Sequence, residues 1–414
     1  MLEFAVIADD LTGAADTGIQ FRTLYPEALL MADTGLAARP PQPMPQALAV
    51  HTSTRALAPD LAHARLRLAA ERLTLWRPGR IFKKVDSGLR GNLGVEIDAL
   101  VDTLGLPLSL IAPAFPEIGR VTALGVHLID GVPVAESEMG RDPATPVTES
   151  GLPELIAGQS HHPVGHISLA AFEAGERRLL RALDKMVDSG IRHICFDGTS
   201  RAHMAKIASL ALNRYPDALL VGSAGLAQGL CDCLPHRPKE PETETTAPGH
   251  HLIALGTASA RARRQVEVLR AERPCAVIEL DPDQLAETDL VPEESDLTDL
   301  ADRLAQEDVV VRIAPVTGEV TARRTRQVAG GFGALIAALV ARTPPASLFL
   351  SGGDTALSVL GRLGARGLNL KREIVPGLVY GTMTGCAFEG LAVGTKPGSF
   401  GEDDALLRWR NTWP

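Results

Sequence analysis

Short apolar runs closed by Gly, Asp or Ser alternate along this chain with longer amphipathic stretches. Residues 4–8 (FAVIA) have the length and composition of a buried strand, and 17–24 follow as a helix. Residues 47–51 read as a strand and 59–75, rich in Ala, Leu and Arg, as a helix. A strand at 80–85, a helix over 93–104 and a strand at 108–113 continue the pattern. A helix over 171–188, a strand at 193–196, a helix over 202–215 and a strand at 218–221 come later. Alternation at this spacing predicts an α/β domain with a largely parallel sheet.

Composition changes at residues 235–250, PHRPKEPETETTAPGH, which offer almost nothing to bury and read as a linker. The rhythm then restarts. Strands are expected at 251–255, 276–280, 309–313 and 347–350, and helices over 260–271 and 334–341. Residues 378–401, rich in Gly and Thr, read as late strands with ligand loops. A chain of 414 residues is long for one hydrophobic core. The expected architecture is two α/β domains, 1–234 and 251–414, each around a largely parallel sheet, with the functional site in the cleft between them.

Charge and cysteine usage narrow the function classes. The chain carries 41 Lys and Arg against 50 Asp and Glu, a net charge of −9. That balance argues against broad nucleic-acid or anionic-membrane binding, while leaving room for one basic cleft that takes a small anion. Five scattered cysteines with no CxxC pair read as reduced thiols. The opening Met1-Leu2-Glu3-Phe4 has no signal-peptide pattern, and no apolar run approaches the roughly 18–20 residues that span a bilayer. A cytoplasmic protein is expected, with a homodimer as the default assembly.

Six segments carry candidate chemistry. In IADDLTGAAD (7–16) two carboxylates end the first strand, where ligands of parallel sheets collect. Asp10 there suits a polyol hydroxyl, or else Asp10 or Thr12 caps the next helix, and Asp16 reads as a helix cap. In FKKVDSGLRGN (82–92), Lys83, Lys84 and Arg90 stand beside a helix start, an arrangement that suits a carboxylate or phosphate. The stretch from 112 to 143 reads as a rigid loop and hairpin, with Glu136, Arg141 and Asp142 either an ion-paired structural cluster or substrate groups. LGTAS (255–259), LSGGDTA (350–356) and TKPGSFG (395–401) are small-residue turns that let a backbone approach phosphate oxygens. Asp354 either holds Mg2+ or caps its helix.

Other signals are missing. There is no GxxxxGK[ST] motif and no protein-kinase signature. AGGFGA (329–334) follows a basic helical stretch, which excludes it as a dinucleotide fingerprint. His161, His162 and His166 lie close in sequence, but without neighbouring carboxylates or cysteines they are not read as a metal site. The sequence assigns no metal ligands.

Taken together and in this order, IADDLTGAAD, KKVDSGLRGN, APAFPEIGR (112–120), DGVPVAESEMGRDPATPV (130–147), GSAGLA (222–227), SGGDTA and KPGSFG resemble the four-carbon acid sugar kinase family over nearly the whole chain. The resemblance implies an N-terminal acid-sugar domain, a C-terminal nucleotide domain, and ATP-dependent phosphorylation of the 4-hydroxyl of a tetronate. It carries substrate contact onto Asp10, Arg55, Lys83, Lys84, Asp86, Ser87 and Arg90. It carries nucleotide contact onto Ser259, Gly352, Gly353, Asp354, Thr355, Ala356, Gly398, Ser399, Phe400 and Gly401. One departure is visible: Gly88 stands where the family often has Thr.

In the expected mechanism the tetronate carboxylate pairs with Lys83, Lys84 or Arg90, and Asp10, Ser87 and Arg55 read hydroxyls. ATP with Mg2+ lies on the C-terminal domain. Asp10 or Asp86 orients or deprotonates the attacking hydroxyl. Two alternatives are a non-catalytic sugar-acid and nucleotide sensor, and an NAD-dependent sugar-acid oxidoreductase.

Overall fold

The computed structural model describes residues 1–32, 41–236, 249–286, 294–315 and 321–413. Most of the linker expected at 235–250 lies outside them. The chain divides into two compact units, Met1–Pro26 with Thr34–Pro238 and Glu27–Asp33 with Lys239–Pro414.

The first unit is built on strands that the apolar runs foretell. In chain order its elements open with β1 (Phe4–Ala8) and α1 (Leu11–Gly18). After β2 (Ala28–Met31), which belongs to the second unit, come β3 (Ala47–His51), α2 (Pro59–Trp76), β4 (Arg80–Lys84), α3 (Leu93–Leu104) and β5 (Ser109–Ala112). A small antiparallel sheet follows, made of β6 (Arg120–Ala123), β7 (Val126–Ile129) and β8 (Val132–Pro133). Then come α4 (Leu152–Gln159), β9 (Val164–Ile167), α5 (Leu169–Glu173), α6 (Glu176–Asp188), β10 (His193–Phe196), α7 (Arg201–Asn213), β11 (Leu219–Gly222) and α8 (Ala224–Asp232).

The main sheet runs β3-β1-β4-β11-β5-β10-β9, with every pairing parallel. Every residue of β1 is buried, as expected of a strand covered by helices on both faces. Register decides where the chemistry goes. Ala8 is level with His51 and with Lys84, and Lys84 with Gly222. The turns after β1, β3 and β4 therefore leave the sheet at one end.

In the second unit the elements are β12 (His251–Leu255), α9 (Ala260–Glu272), β13 (Cys275–Leu280), α10 (Pro282–Ala286), α11 (Glu294–Leu304), β14 (Asp308–Ile313) and α12 (Ala322–Arg342). They continue with β15 (Ser347–Ser351), α13 (Gly353–Arg362), β16 (Gly367–Val375), β17 (Leu378–Thr384), β18 (Ala392–Lys396) and α14 (Ala405–Arg410). Strand order is β13-β14-β12-β15-β18-β17-β16-β2, parallel from β13 to β18 and antiparallel beyond. Leu255 is level with Ser351 and Ser351 with Lys396, so three more turns share one end. Phe349, Tyr380, Trp409 and Trp413 pack into one aromatic core. The AGGFGA run lies inside α12.

Three local differences have physical causes. The first helix begins at Leu11, not 17, because Asp10 accepts the Gly13 N–H and caps it. Asp16 is thus inside that helix and does not cap the next. The helix read over 171–188 is broken in two at Gly175, whose φ of 90° no right-handed helix accommodates. The run Ala28–Met31 was too short to stand out, and it pairs antiparallel with β16.

Lys83 and Lys84 are neighbours on a strand and so face opposite sides of the sheet. Lys83 is fully buried, and its Nζ lies 2.5 Å from Glu96 Oε2 on α3, itself 1% exposed. It also donates to the Lys84 carbonyl at 2.9 Å. Removing one partner of a buried pair strands the other charge. Lys83→Met should lower unfolding free energy by about 3–5 kcal/mol. The double variant Lys83→Met/Glu96→Leu should recover most of that loss. Urea unfolding of both variants checks the pair, and a single variant as stable as the parent would contradict it.

Candidate active site

The common end of β1, β3 and β4 gathers four carboxylates and four cations. Arg55, in the turn after β3, forks onto Asp9 with Nε at 2.6 Å and Nη2 at 3.1 Å. The same Nη2 donates to Asp10 at 2.8 Å and lies 3.8 Å from Asp86. Asp10 also accepts from the Thr12 hydroxyl at 2.7 Å. Arg90 forks onto Asp86 at 2.7 and 3.2 Å and reaches Asp142 at 3.0 Å. Planar guanidinium against planar carboxylate fixes these groups in angle as well as distance.

Beneath that lattice the turn carrying Ser87 is clamped. Arg120 donates to the Ser87 hydroxyl at 2.7 Å, and the His127 ring bonds the Ser87 carbonyl at 2.9 Å. The other His127 nitrogen meets the Thr122 hydroxyl at 2.9 Å. Lys84 is 4% exposed and faces the start of α1, close enough to bias Asp10. Among the described residues it forms no ion pair.

Burial and pairing pull these groups in opposite directions. Burial raises the Asp10 carboxyl, but Arg55 and Lys84 outweigh it, so it lies below the usual carboxylate range. Burial also raises Asp86, and Arg90 with Arg55 carry it well below that range. Both are ionised at neutral pH. Burial pulls Arg120 down to about 10. It pulls His127 down to about 4, leaving a neutral ring whose one N–H suits the Ser87 carbonyl.

The corresponding strand end of the second unit has a different chemistry. Ser259 caps α9 by accepting from Ala262 N–H at 3.1 Å and donates to the Gly398 carbonyl at 3.2 Å. A Cβ on Gly256 would collide with Thr355, so only glycine lets these two turns approach. Gly352 sits at φ 106° and starts α13 without a side-chain cap. Asp354 lies in the first turn of that helix and is exposed, so it does not cap it.

The loop after β18 is held from inside. Lys396, fully buried, donates to the carbonyls of Pro397, Gly398 and Phe400 at 3.0, 3.3 and 2.9 Å. Gln265 donates to Phe400, Gly401 and Glu402 carbonyls at 3.1, 3.1 and 2.9 Å. Carbonyls turned inward leave the turn's amides for a ligand. Two helices starting beside it favour an anion there.

The structure thus brings Asp10, Arg55, Asp86, Ser87 and Arg90 together, with Lys84 beside them. It places Lys83 in the core with Glu96 instead. In the second unit Ser259, Gly352, Gly353, Asp354, Thr355, Gly398, Ser399 and Gly401 share one strand end. Ala356 and Phe400 are buried there, and their N–H groups donate to the Gly352 and Pro397 carbonyls at 3.0 and 3.2 Å, so neither offers a free donor. Sequence reasoning left out Asp9, Arg120, His127, Lys396 and Gln265. Asp9 stood in plain view beside Asp10, whereas His127 and Gln265 had no local signal. Asp142 proves to pair with Arg90, while Arg141 donates to the Glu136 carbonyl at 3.2 Å.

One unit thus carries a strand end rich in paired carboxylates and guanidinium groups, and the other a strand end of small-residue turns at helix starts. The sequence matches the models of a sugar-binding N-terminal domain over residues 4–230 and a nucleotide-binding C-terminal domain over residues 252–406. It is 33% identical to a D-threonate kinase of Bordetella bronchiseptica, covering 97% of this chain and 95% of that one. It is 30% identical to a D-erythronate kinase of Heliobacterium modesticaldum, over 98% and 95%. A 3-oxo-tetronate kinase of Escherichia coli K12 is 27% identical over 91% and 99%. A Salmonella typhimurium protein of known crystal structure shares the fold at TM-score 0.80 and 21% identity, covering all of both chains. The chain belongs to the four-carbon acid sugar kinase family. Among the described residues no helix is long and apolar enough to cross a membrane.

His127 sets a pH dependence. Its folded value of about 4 lies below the ordinary 6.5, so between those values the unfolded chain binds a proton that the folded chain refuses. Stability from this group is complete above about pH 6.5 and is lost as pH falls toward 4, on the order of 3 kcal/mol in all. His127→Gln keeps a donor for Ser87 and should flatten that part of the profile. Urea titrations from pH 7 to 4.5 that give parallel profiles for parent and variant would refute the assignment.

Proposed function

We propose that this chain transfers the γ-phosphoryl group of ATP to the 4-hydroxyl of a tetronate, such as D-threonate, D-erythronate or a 3-oxo-tetronate. The observation that carries the reading is the contrast between the two strand ends. One is a lattice of ionised carboxylates and guanidinium groups suited to a small hydroxylated acid, and the other is a set of amide-rich turns suited to phosphates.

Within the first, Lys84 is the anchor for the tetronate carboxylate. Lys83 is consumed by Glu96, and Arg90 by Asp86 and Asp142. Asp10 takes the attacking hydroxyl. Its side chain is 18% exposed against 5% for Asp86, and Asp86 is already forked by Arg90. Asp86 and Arg55 hold the frame. Ser87 contacts a remaining sugar hydroxyl, and Arg90 holds Asp86 and Asp142 beside it.

ATP lies with its phosphates on the amides at the start of α13 and in the 398–401 turn. Mg2+ arrives as part of the substrate MgATP and neutralises charge that develops on the phosphate oxygens. Asp354 is the carboxylate this turn offers it. Transfer requires the 4-hydroxyl in line with the γ-phosphate and water excluded.

An ADP-release assay with a panel of tetronates tests the reaction, and no ADP release with any of them would favour a sugar-acid sensor. Lys84→Met should raise KM for the acid by about 10–100-fold, the worth of a charged hydrogen bond, with KM for ATP unchanged. Gly353→Val should do the reverse, abolishing nucleotide binding in calorimetry while tetronate still binds. Asp10→Asn should lower kcat by about 10²–10⁴-fold at nearly unchanged KM. If Asp86→Asn alone shows that pattern, the two carboxylates exchange roles.

A further inference from the structure

At the opposite end of the first unit's sheet, the fold assembles a cluster that the sequence conceals. Asp98 and Asp102 lie one turn apart on the C-terminal half of α3. His161 and His162 lie between α4 and β9, and His193 opens β10. His161 Nδ1 stands 2.8 Å from Asp98, and its Nε2 3.1 Å from Asp102. His162 Nε2 is 2.8 Å from Asp102. The two rings pack against each other with centroids 4.1 Å apart.

We propose that Asp98, His161 and His162 form a zinc-class divalent metal site. One ligand atom from each lies within 4.8 Å of the other two. Tetrahedral zinc with bonds of about 2.0–2.2 Å sets its ligand atoms about 3.3–3.6 Å apart, so the cluster needs only small adjustments to close on an ion. Imidazole nitrogens favour zinc and its transition-metal neighbours over Mg2+ or Ca2+.

The surroundings are those of a held site. Asp98 is 2% exposed, and it is fixed by the Ser160 hydroxyl at 2.7 Å and His193 Nε2 at 2.7 Å. His193 is fixed in turn by Ser109 at 2.8 Å. Asp102 holds both exposed-side rings. Carboxylates and hydroxyls that orient ligands from behind tune a site as much as the ligands themselves. His161, 61% exposed, leaves a path for the ion from solvent.

A divalent ion at this cluster would offset the charge of both carboxylates. Because it lies at the strand starts, the ion clamps α3 to the α4–β9 turn and takes no part in phosphoryl transfer.

The test uses the full chain, stripped with chelator and titrated with ZnCl2 against a chromophoric zinc indicator, with MgCl2 as control. One zinc ion per chain is expected and no response to magnesium. His161→Ala, a change at an exposed side chain, should weaken zinc at least about tenfold. His166→Ala, whose ring pairs with Asp197 elsewhere, should bind like the parent. Crystals soaked in zinc should show an anomalous peak between Asp98 and the two rings. No stoichiometric binding, or equal binding by parent and His161→Ala, would overturn the site and leave adventitious surface metal only.

Discussion

One guanidinium holds the carboxylate-rich end of the first unit's sheet together. Arg55 reaches Asp9, Asp10 and Asp86, which come from the ends of two adjacent strands. Without that cation three buried or half-buried carboxylates would repel one another, and burial would push each toward the protonated form. With it they stay ionised at neutral pH and remain acceptors. The mutual register of β1, β3 and β4 is what makes the arrangement possible, because it brings Ala8, His51 and Lys84 level. A slip of one residue would turn each side chain to the other face.

The two lysines of β4 show how much of this was legible from the sequence. Residue types and motif order were enough to single out 83–92 as a charged turn at a strand end. They were not enough to assign the two charges, because period-two alternation says that Lys83 and Lys84 differ without saying which faces the core. The answer lies in Glu96, a helix residue twelve positions from Lys84 whose partner no local pattern reveals. The partners of His127 and Asp142 were hidden for the same reason, since Ser87 and Arg90 lie 40 and 52 positions away. Elements with strong apolar runs, such as β1 and β12, were read correctly. The first helix was placed at 17 because the ligand reading of Asp10 was preferred to its reading as a cap, and the structure makes it the cap.

The turns of the second unit that share one strand end were legible to a greater degree because they are built from backbone features. Glycines, a serine cap and a following helix are local features. What the sequence did not disclose is the internal scaffold. Lys396, the lysine of the 395–401 glycine loop, is buried and spends its donors on three carbonyls of that loop. Burial, with Arg261 adding to it, pulls its ammonium down to about 7, so its charge is weak support for a phosphate. Its contribution is shape, shared with Gln265 across the same carbonyls.

Gly88 marks the one visible departure from the family motif, and the structure supplies a steric reason for it. A Cβ at Gly88 would stand 2.8 Å from Met139 Sδ and 3.1 Å from Asp86 Oδ2. Met139 is 3% exposed and occupies the space that a threonine side chain would need. The hydroxyl that the family often places beside Asp86 is therefore replaced here by a thioether from a separate segment. Restoring threonine at 88 would press its Cβ against the Met139 thioether, so the methionine must shift or shrink to keep that buried wall from being overpacked.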